Sequence, residues 1–265
     1  MSPHAHDLAV ELDGVGYRYP GHSETVLTDV SLAVETGEIV TIIGPSGAGK
    51  TTLLSLLDGR LRGWDGAVRV NGIDLSSRHP PTRRQRVQTG FVFQNFALVE
   101  RRSVRENVLN GRLGRMSVGR SVLGRFSTAD EHAVETAIAD VGLKDVEDRR
   151  VDGLSGGQRQ RVAVARCLAQ EPDLILADEP INNLDPQSSK DVLGALARIT
   201  QARGSTLLFT SHQPDVALSI ATRVLGLKAG GLVLDSPACE VTDITLADVY
   251  DNEDFSAPNT LRLVV

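Results

Sequence analysis

Gly44-Pro45-Ser46-Gly47-Ala48-Gly49-Lys50-Thr51 is the stretch that decides the fold. It fits the spacing G-x-x-x-x-G-K-[ST]. The apolar run Ile39-Val40-Thr41-Ile42-Ile43 precedes it and reads as a buried strand. Leu53-Leu54-Ser55-Leu56-Leu57 follows and reads as the start of a helix. Strand, glycine loop and helix together form a cradle for phosphate. Glycines let the backbone wrap an anion without Cβ clashes. The free N–H groups at the helix start, and the helix dipole, then attract it. Lys50 can reach the β- and γ-phosphates of a nucleotide, and the Thr51 hydroxyl can hold Mg²⁺. Residues Gly44 to Thr52 are therefore the candidate nucleotide-binding set. The rival reading is a Gly-rich turn before an ordinary helix, and the flanking pattern weighs against it.

A second signal is Leu174-Ile175-Leu176-Ala177-Asp178-Glu179. An apolar strand puts Asp178 at its carboxyl end, where α/β sheets bind ligands. Asp178 is placed to hold Mg²⁺ from the side opposite Thr51. Glu179, the next residue, is the candidate general base for an attacking water. A third signal is Leu154-Ser155-Gly156-Gly157-Gln158, which leads into the helical run RQRVAVARCLA. Small residues before a helix again make an anion cradle of backbone N–H groups.

The bulk composition bounds the rest. The chain has 265 residues, enough for one large or two small domains. Hydrophobic residues are 41% and charged residues 23%, as in ordinary globular proteins. No apolar run approaches the roughly 18 residues of a membrane span. The first residues, Met1-Ser2-Pro3-His4-Ala5-His6-Asp7, are polar and read as a solvated terminus rather than a secretory signal or metal site. Only two cysteines occur, Cys167 and Cys239, without a C-x-x-C pattern, which disfavours a zinc site or a disulfide framework. Aromatics are 4% and the net charge is −6, so nucleic acid is not an expected partner. Charge is uneven, however. Eleven arginines lie between Arg78 and Arg125 against Glu100 and Glu106, while Asp235 to Asp254 holds seven acidic residues and no Lys or Arg. The basic stretch reads either as a solvated face or as one turned towards anionic lipid or a membrane partner.

Along the chain, Leu8–Leu12, Val26–Val34 and Gly66–Gly72 read as short, mostly antiparallel strands, and 91–94 as another strand. Residues 100 to 150 are mostly helical in pattern. Ala129–Val141 carries an apolar stripe that Gly142 can cap. Helices are expected over 161–169, 192–202 and 215–221, with strands at 174–177 and 206–210. Strands alternating with helices imply a parallel sheet covered on both faces. The stretch from about 97 to 165 is a helical insertion into that core. Residues 8–250 form the domain, flanked by loosely held tails at 1–7 and 251–265.

With all three signals in this order, the chain resembles the ATP-binding cassette (ABC) family, whose signature LSGGQ matches Leu154–Gln158. The resemblance covers roughly residues 8–250. It implies an α/β P-loop NTPase fold: a RecA-like parallel-sheet core, an antiparallel β subdomain and a helical insertion. It also implies ATP and Mg²⁺ as cofactors. By resemblance, Tyr19 matches the aromatic that stacks on adenine, with Tyr17 as the alternative. Gln94 matches the glutamine linking Mg²⁺ and the attacking water to the membrane partner. Asn183 and Asp185 match the loop that crosses the dimer interface. His212 matches the switch histidine near the γ-phosphate. Asn183 stands where Ser or Ala is common, and Cys167 where Ala is common.

In this family two cassettes pack head to tail, so Ser155, Gly156, Gly157 and Gln158 of one chain are expected on the ATP of the other. A homodimer follows. Three segments resemble the ATPase subunit of phosphonate importers more narrowly: 93–101, 107–115 and 120–126. So do Leu168–Pro172 and Thr242–Tyr250. The implied system places this chain on the cytoplasmic face of the membrane beneath a permease, with an external substrate-binding protein that selects phosphonate or a related oxyanion. The alternatives are an ABC ATPase for another cargo such as amino acids or lipoproteins, a non-transport ABC ATPase, and a regulatory binder without turnover.

Overall fold

The computed structural model describes residues 7–117, 119–120, 124–182 and 184–250. Strands β1 (Leu8–Tyr17) and β2 (Leu27–Glu35) pair antiparallel. Their alternation buries Val10, Leu12 and Val15 on one side and leaves the other to solvent, as a sheet with one covered face requires. Strand β3 (Ile39–Ile43) is buried at every residue and runs straight into the glycine loop and helix α1 (Lys50–Leu57). Strands β4 (Asp65–Val70) and β5 (Ile73–Asp74) complete a four-stranded antiparallel sheet in the order β2-β1-β4-β5.

Helix α2 (Arg83–Gln88) leads to β6 (Thr89–Val92), two residues earlier than the sequence pattern suggests. Phe93 and Gln94 lie just past its end. The insertion follows, with α3 (Val104–Leu109), a 3-10 turn over Asn110–Arg115, α4 (Thr128–Asp140) and α5 (Gly156–Ala169). Strand β7 (Leu174–Ala177), α6 (Pro186–Arg203), β8 (Thr206–Thr210) and α7 (Pro214–Leu218) return the chain to the core. Strands β9 (Arg223–Lys228) and β10 (Gly231–Pro237) and helix α8 (Asp243–Val249) close it; β9 and β10 escaped the sequence reading.

The core sheet has the order β10-β9-β3-β8-β7-β6. All pairs are parallel except β10 with β9 at the edge. Its inner strands β3, β8 and β7 are buried at every residue, and side chains alternate between two hydrophobic layers. Ile39, Ile175, Ala177, Leu207 and Phe209 face the helices α3, α4, α5 and α6. Val40, Ile42, Leu174, Leu176 and Leu208 face α1 and the antiparallel sheet. Each buried Leu, Ile or Phe contributes about 1.5–3 kcal/mol relative to exposure. The two-layer core is thus the main source of stability.

Helices α5 and α6 begin well before their apolar stripes. Ser155 caps α5 and accepts from the Gln158 N–H at 3.3 Å, while Gln158 Oε1 accepts from the Ser155 N–H at 3.0 Å. Asp185 caps α6 by accepting from the Ser188 N–H at 3.0 Å, with Pro186 in the first turn. Caps rather than hydrophobic residues set these starts.

The arginines of the basic stretch have a use that local counting did not suggest. Arg112 is buried and donates to Asp130 Oδ1 at 3.1 Å and to Glu171 Oε2 and the Ala169 carbonyl at 2.7 Å. Arg105 reaches Glu131 at 2.5 Å and Glu135 at 3.2 Å. Arg83 and Arg115 donate to the carbonyls of Gly114, Gln170 and Glu171. Nine of the eleven arginines stay exposed, so the stretch is largely a solvated face, while Arg105 and Arg112 tie the insertion together. The resemblance segment 120–126 contains residues 121–123, which lie outside the described residues. So do residues 1–6 and 251–265, to which the expected loose tails mostly belong.

Candidate nucleotide site

The parallel strands bring the chemistry together at their carboxyl ends. Strand β3 delivers the glycine loop, β7 delivers Asp178 and Glu179, β8 delivers Thr210 and His212, and β6 delivers Gln94. Loop curvature comes from backbone that only glycine tolerates. Gly44 has φ 146°, and a Cβ there would lie 2.1 Å from the Leu227 carbonyl oxygen of β9. Gly49 has φ 102°, and its Cβ would meet Leu27 and Val26 below 3.0 Å. Both need glycine for space as well as conformation.

Lys50 is buried inside the loop. Its Nζ donates to the carbonyls of Gly44 at 2.7 Å and Pro45 at 2.9 Å. The cation thereby fills the cradle and holds its shape. Burial draws the Lys50 pKa down, and the nearby carboxylates of Glu179 and Asp178 pull it back up. Thr51 Oγ1 donates to Asp178 Oδ1 at 3.1 Å, and Thr210 Oγ1 donates to the same oxygen at 3.0 Å. Thr210 also accepts from the Glu179 N–H at 2.8 Å, so one hydroxyl orients both acids.

Glu179 sits in the left-handed region, with φ 47°. That conformation turns its carboxylate away from the strand axis. Gln94 Nε2 and Asn182 Nδ2 both donate to Glu179 Oε2 at 2.8 Å. His212 Nε2 lies 2.5 Å from Glu179 Oε1. The three expected catalytic residues are therefore in direct contact, although 85 and 33 residues separate Gln94 and His212 from the glutamate.

Tyr19 is half-buried beside the loop. Its hydroxyl is 3.1 Å from Thr52 Oγ1, and its ring meets Tyr17 edge to face at 5.0 Å. Tyr17 is buried beneath it, which leaves Tyr19 as the ring with a free surface. Among the described residues, no hydrogen bond joins Ser155, Gly156, Gly157 or Gln158 to the glycine loop. Asn183 lies outside the described residues; Asp185, two residues further on, serves as a helix cap.

The donor set suits Mg²⁺. Hydroxyl, carboxylate and amide oxygens are hard ligands, and Mg²⁺ commonly uses one or two carboxylates together with substrate phosphates. Thr51 and Asp178 already point at each other across the loop, and Gln94 reaches the neighbouring Glu179. No group of three or more His, Cys, Asp or Glu residues able to hold a metal unaided occurs among the described residues.

Residues 27–182 match the family profile described as ABC transporter. The chain belongs to the ABC transporter family. It is 39% identical over 249 residues to a phosphonates import ATP-binding protein, PhnC 2, of Synechococcus sp., covering 94% of this chain and 92% of that one. It is 40% identical over 257 residues to the PhnC of Thiobacillus denitrificans, covering 97% and 98%. A dimeric bacterial ABC transporter cassette superposes with TM-score 0.72 at 27% identity, covering 86% of this chain and 98% of that one. A dimeric post-hydrolysis cassette bound to ADP and Pi gives the same TM-score and coverage at 28% identity. The ABC fold expected from the sequence is therefore borne out: a parallel core, an antiparallel β subdomain and a helical insertion.

A groove of about 610 Å³ opens between the core sheet and the insertion. Asp58, Arg60, Arg86, Phe91, Phe93 and Arg166 line it. The Arg60 guanidinium lies 3.9 Å from the centre of the Phe91 ring. Sequence reasoning found neither this groove nor the support given by Asn182 and Thr210. Asn182 was within reach, because an amide three residues after the candidate base on a tight turn is close enough to bind it.

Proposed function

We propose that this chain is the ATP-hydrolysing subunit of an importer that carries phosphonate or a related phosphorus oxyanion across the cytoplasmic membrane. The observation that carries the ATPase is the contact of Glu179 with Gln94 and His212 beside the Lys50–Thr51–Asp178 cluster. The names of the curated relatives support the cargo.

Tyr19 stacks on the adenine. The backbone N–H groups from Ser46 to Thr52 surround the phosphates. Lys50 exchanges its two carbonyl partners for phosphate oxygens, and those stronger, charge-assisted bonds favour the bound state. Thr51, Asp178 and Gln94 hold Mg²⁺, which when bound neutralises phosphate charge. Glu179 accepts a proton from the attacking water, and His212 and Gln94 keep its carboxylate aimed. Ser155 and the Gly156 and Gly157 amides reach the γ-phosphate of a second copy, whose own signature completes this chain's site. The Ser155 capping box presents those amides at a helix start, where anions bind. Loss of the γ-phosphate removes the shared ligand and lets the two copies part.

The subunit lies on the cytoplasmic face and docks the permease through the groove flanked by Phe91 and Phe93. No helix among the described residues is long and apolar enough to cross a membrane. An external binding protein acts through that permease and selects the substrate.

Glu179→Gln is the test. It should cut kcat about a hundredfold or more while ATP still binds. Ordinary turnover in that variant would remove Glu179 as the base. For the cargo, vesicles holding the subunit, its permease and the binding protein should raise ATP turnover with methylphosphonate or phosphite and not with an amino acid. The reverse pattern would reassign the substrate.

A further inference from the structure

The glycine loop has a support outside the nucleotide machinery. The Gly44 N–H donates to the Tyr250 hydroxyl at 3.2 Å in a buried environment. The two residues are 206 positions apart. Tyr250 is 7% exposed and follows directly on α8. Burial raises its pKa, and the bond from Gly44 only partly opposes this, so the phenol stays neutral.

Helix α8 is built to hold this position. Thr242 caps it, accepting from the Thr245 N–H at 3.3 Å. Leu246, Val249 and Tyr250 pack with Ile43 and Val224 of the core sheet. Val249 lies so close to β9 that a Cβ on Gly226 would come within 2.8 Å of it. Lys228 Nζ, at the end of β9, donates to the Asp248 carbonyl at 2.9 Å. The helix is thus clamped to the strand that already abuts Gly44.

The Gly44 peptide is consequently held on both sides. Its carbonyl accepts from Lys50, and its N–H donates to Tyr250. The first bond must be given up or shared when Lys50 turns to phosphate. The second is independent of nucleotide. We propose that Tyr250 is a positioning residue for the glycine loop: its hydroxyl keeps the Gly44 peptide in the phosphate-receiving geometry while Lys50 changes partners. This rests on the ATPase reading above. Without the hydroxyl, a buried N–H has no acceptor and the loop must rearrange to satisfy it. That rearrangement weakens nucleotide binding but leaves Glu179 and His212 in place.

Tyr250→Phe should raise KM for ATP, and Kd for MgATP by calorimetry, about three- to tenfold. Its kcat at saturating ATP should stay within about twofold of the parent. Val249→Ala, which trims the same packing, should lower Tm without moving KM or Kd. Native-state hydrogen exchange of the nucleotide-free wild type should show the Gly44 amide protected, which needs no variant to fold. The proposal is overturned by a Tyr250→Phe protein with unchanged KM and Kd, by an equal rise in Val249→Ala, or by rapid exchange at Gly44. A wild-type chain that binds no nucleotide would instead remove the ATPase reading, and the proposal with it.

Discussion

At Asp58 a single carboxyl is set against its surroundings. Burial pushes its pKa up to about 6, although the Arg60 guanidinium 2.7 Å away opposes the shift. The folded chain therefore keeps a proton that the unfolded chain has released. Stability from this group is full below about pH 4 and is lost as pH rises to about 6. Asp58→Asn should flatten this slope and add on the order of 2 kcal/mol at pH 7, read as denaturant midpoints across pH 4–7. A slope unchanged by the substitution would exclude Asp58 as its source. Cys167 is also governed by burial, which raises its thiol to about 12. Iodoacetamide should therefore label exposed Cys239 in the native protein and spare Cys167, by peptide mapping; labelling of both would contradict the burial. Lys50, Thr51, Asp178 and Glu179 were legible because loop and strand patterns are local. Tyr250 was visible only as part of a resemblance. Its role depends on a contact between chain segments that no window of sequence spans.

Helix α4 shows how an element can be held from its first turn. Asp130 lies at its third position and is 5% exposed. Burial would raise its pKa, but the Ser127 hydroxyl and N–H and the Arg112 guanidinium outweigh this and bring it to about 2. The sign is opposite to that of Asp58. Stability is present above about pH 4 and lost as pH falls towards 2. Asp130→Asn should cost about 2 kcal/mol at pH 7, and the gap to wild type should close as the solution is acidified through that window. A gap independent of pH would mean that packing, not charge, carries the effect. The pairing of Arg105 and Arg112 was hidden for a related reason. The carboxylates that answer Arg105 and Arg112 lie at 130, 131, 135, 147 and 171, beyond the window in which the charges were counted. Helix and strand types followed from apolar spacing. The early starts of α5 and α6 did not, because polar caps and small residues carry no hydrophobic period.

The whole molecule has one glycine loop and one signature, and no hydrogen bond joins them within the described chain. Two dead variants should therefore rescue one another. A Lys50→Ala chain keeps a sound signature, and a Gly157→Asp chain keeps a sound loop. A mixed dimer holds one complete site, so mixing the two should restore ATPase activity that neither shows alone. No recovery, with mixed dimers demonstrated by tagged pull-down, would argue that the site is completed within one chain. The parallel sheet and the antiparallel sheet beside it were legible in outline. The strand order was not, nor were β9 and β10. Order depends on crossovers through the core, and the exposed alternation of β10 hides it among loop residues.

Helix α5 has a further consequence. Its first turn carries Gly156 and Gly157, while Arg166, Cys167 and the following Gln170 form part of the groove wall. Fourteen residues of unbroken helix make a rod about 21 Å long, without proline or any soft joint. Pressure applied where a neighbour sits is thus transmitted mechanically to the far tip, and a pull on that tip returns along the same axis. On the proposed function, membrane partner and second copy would grip opposite ends of one handle.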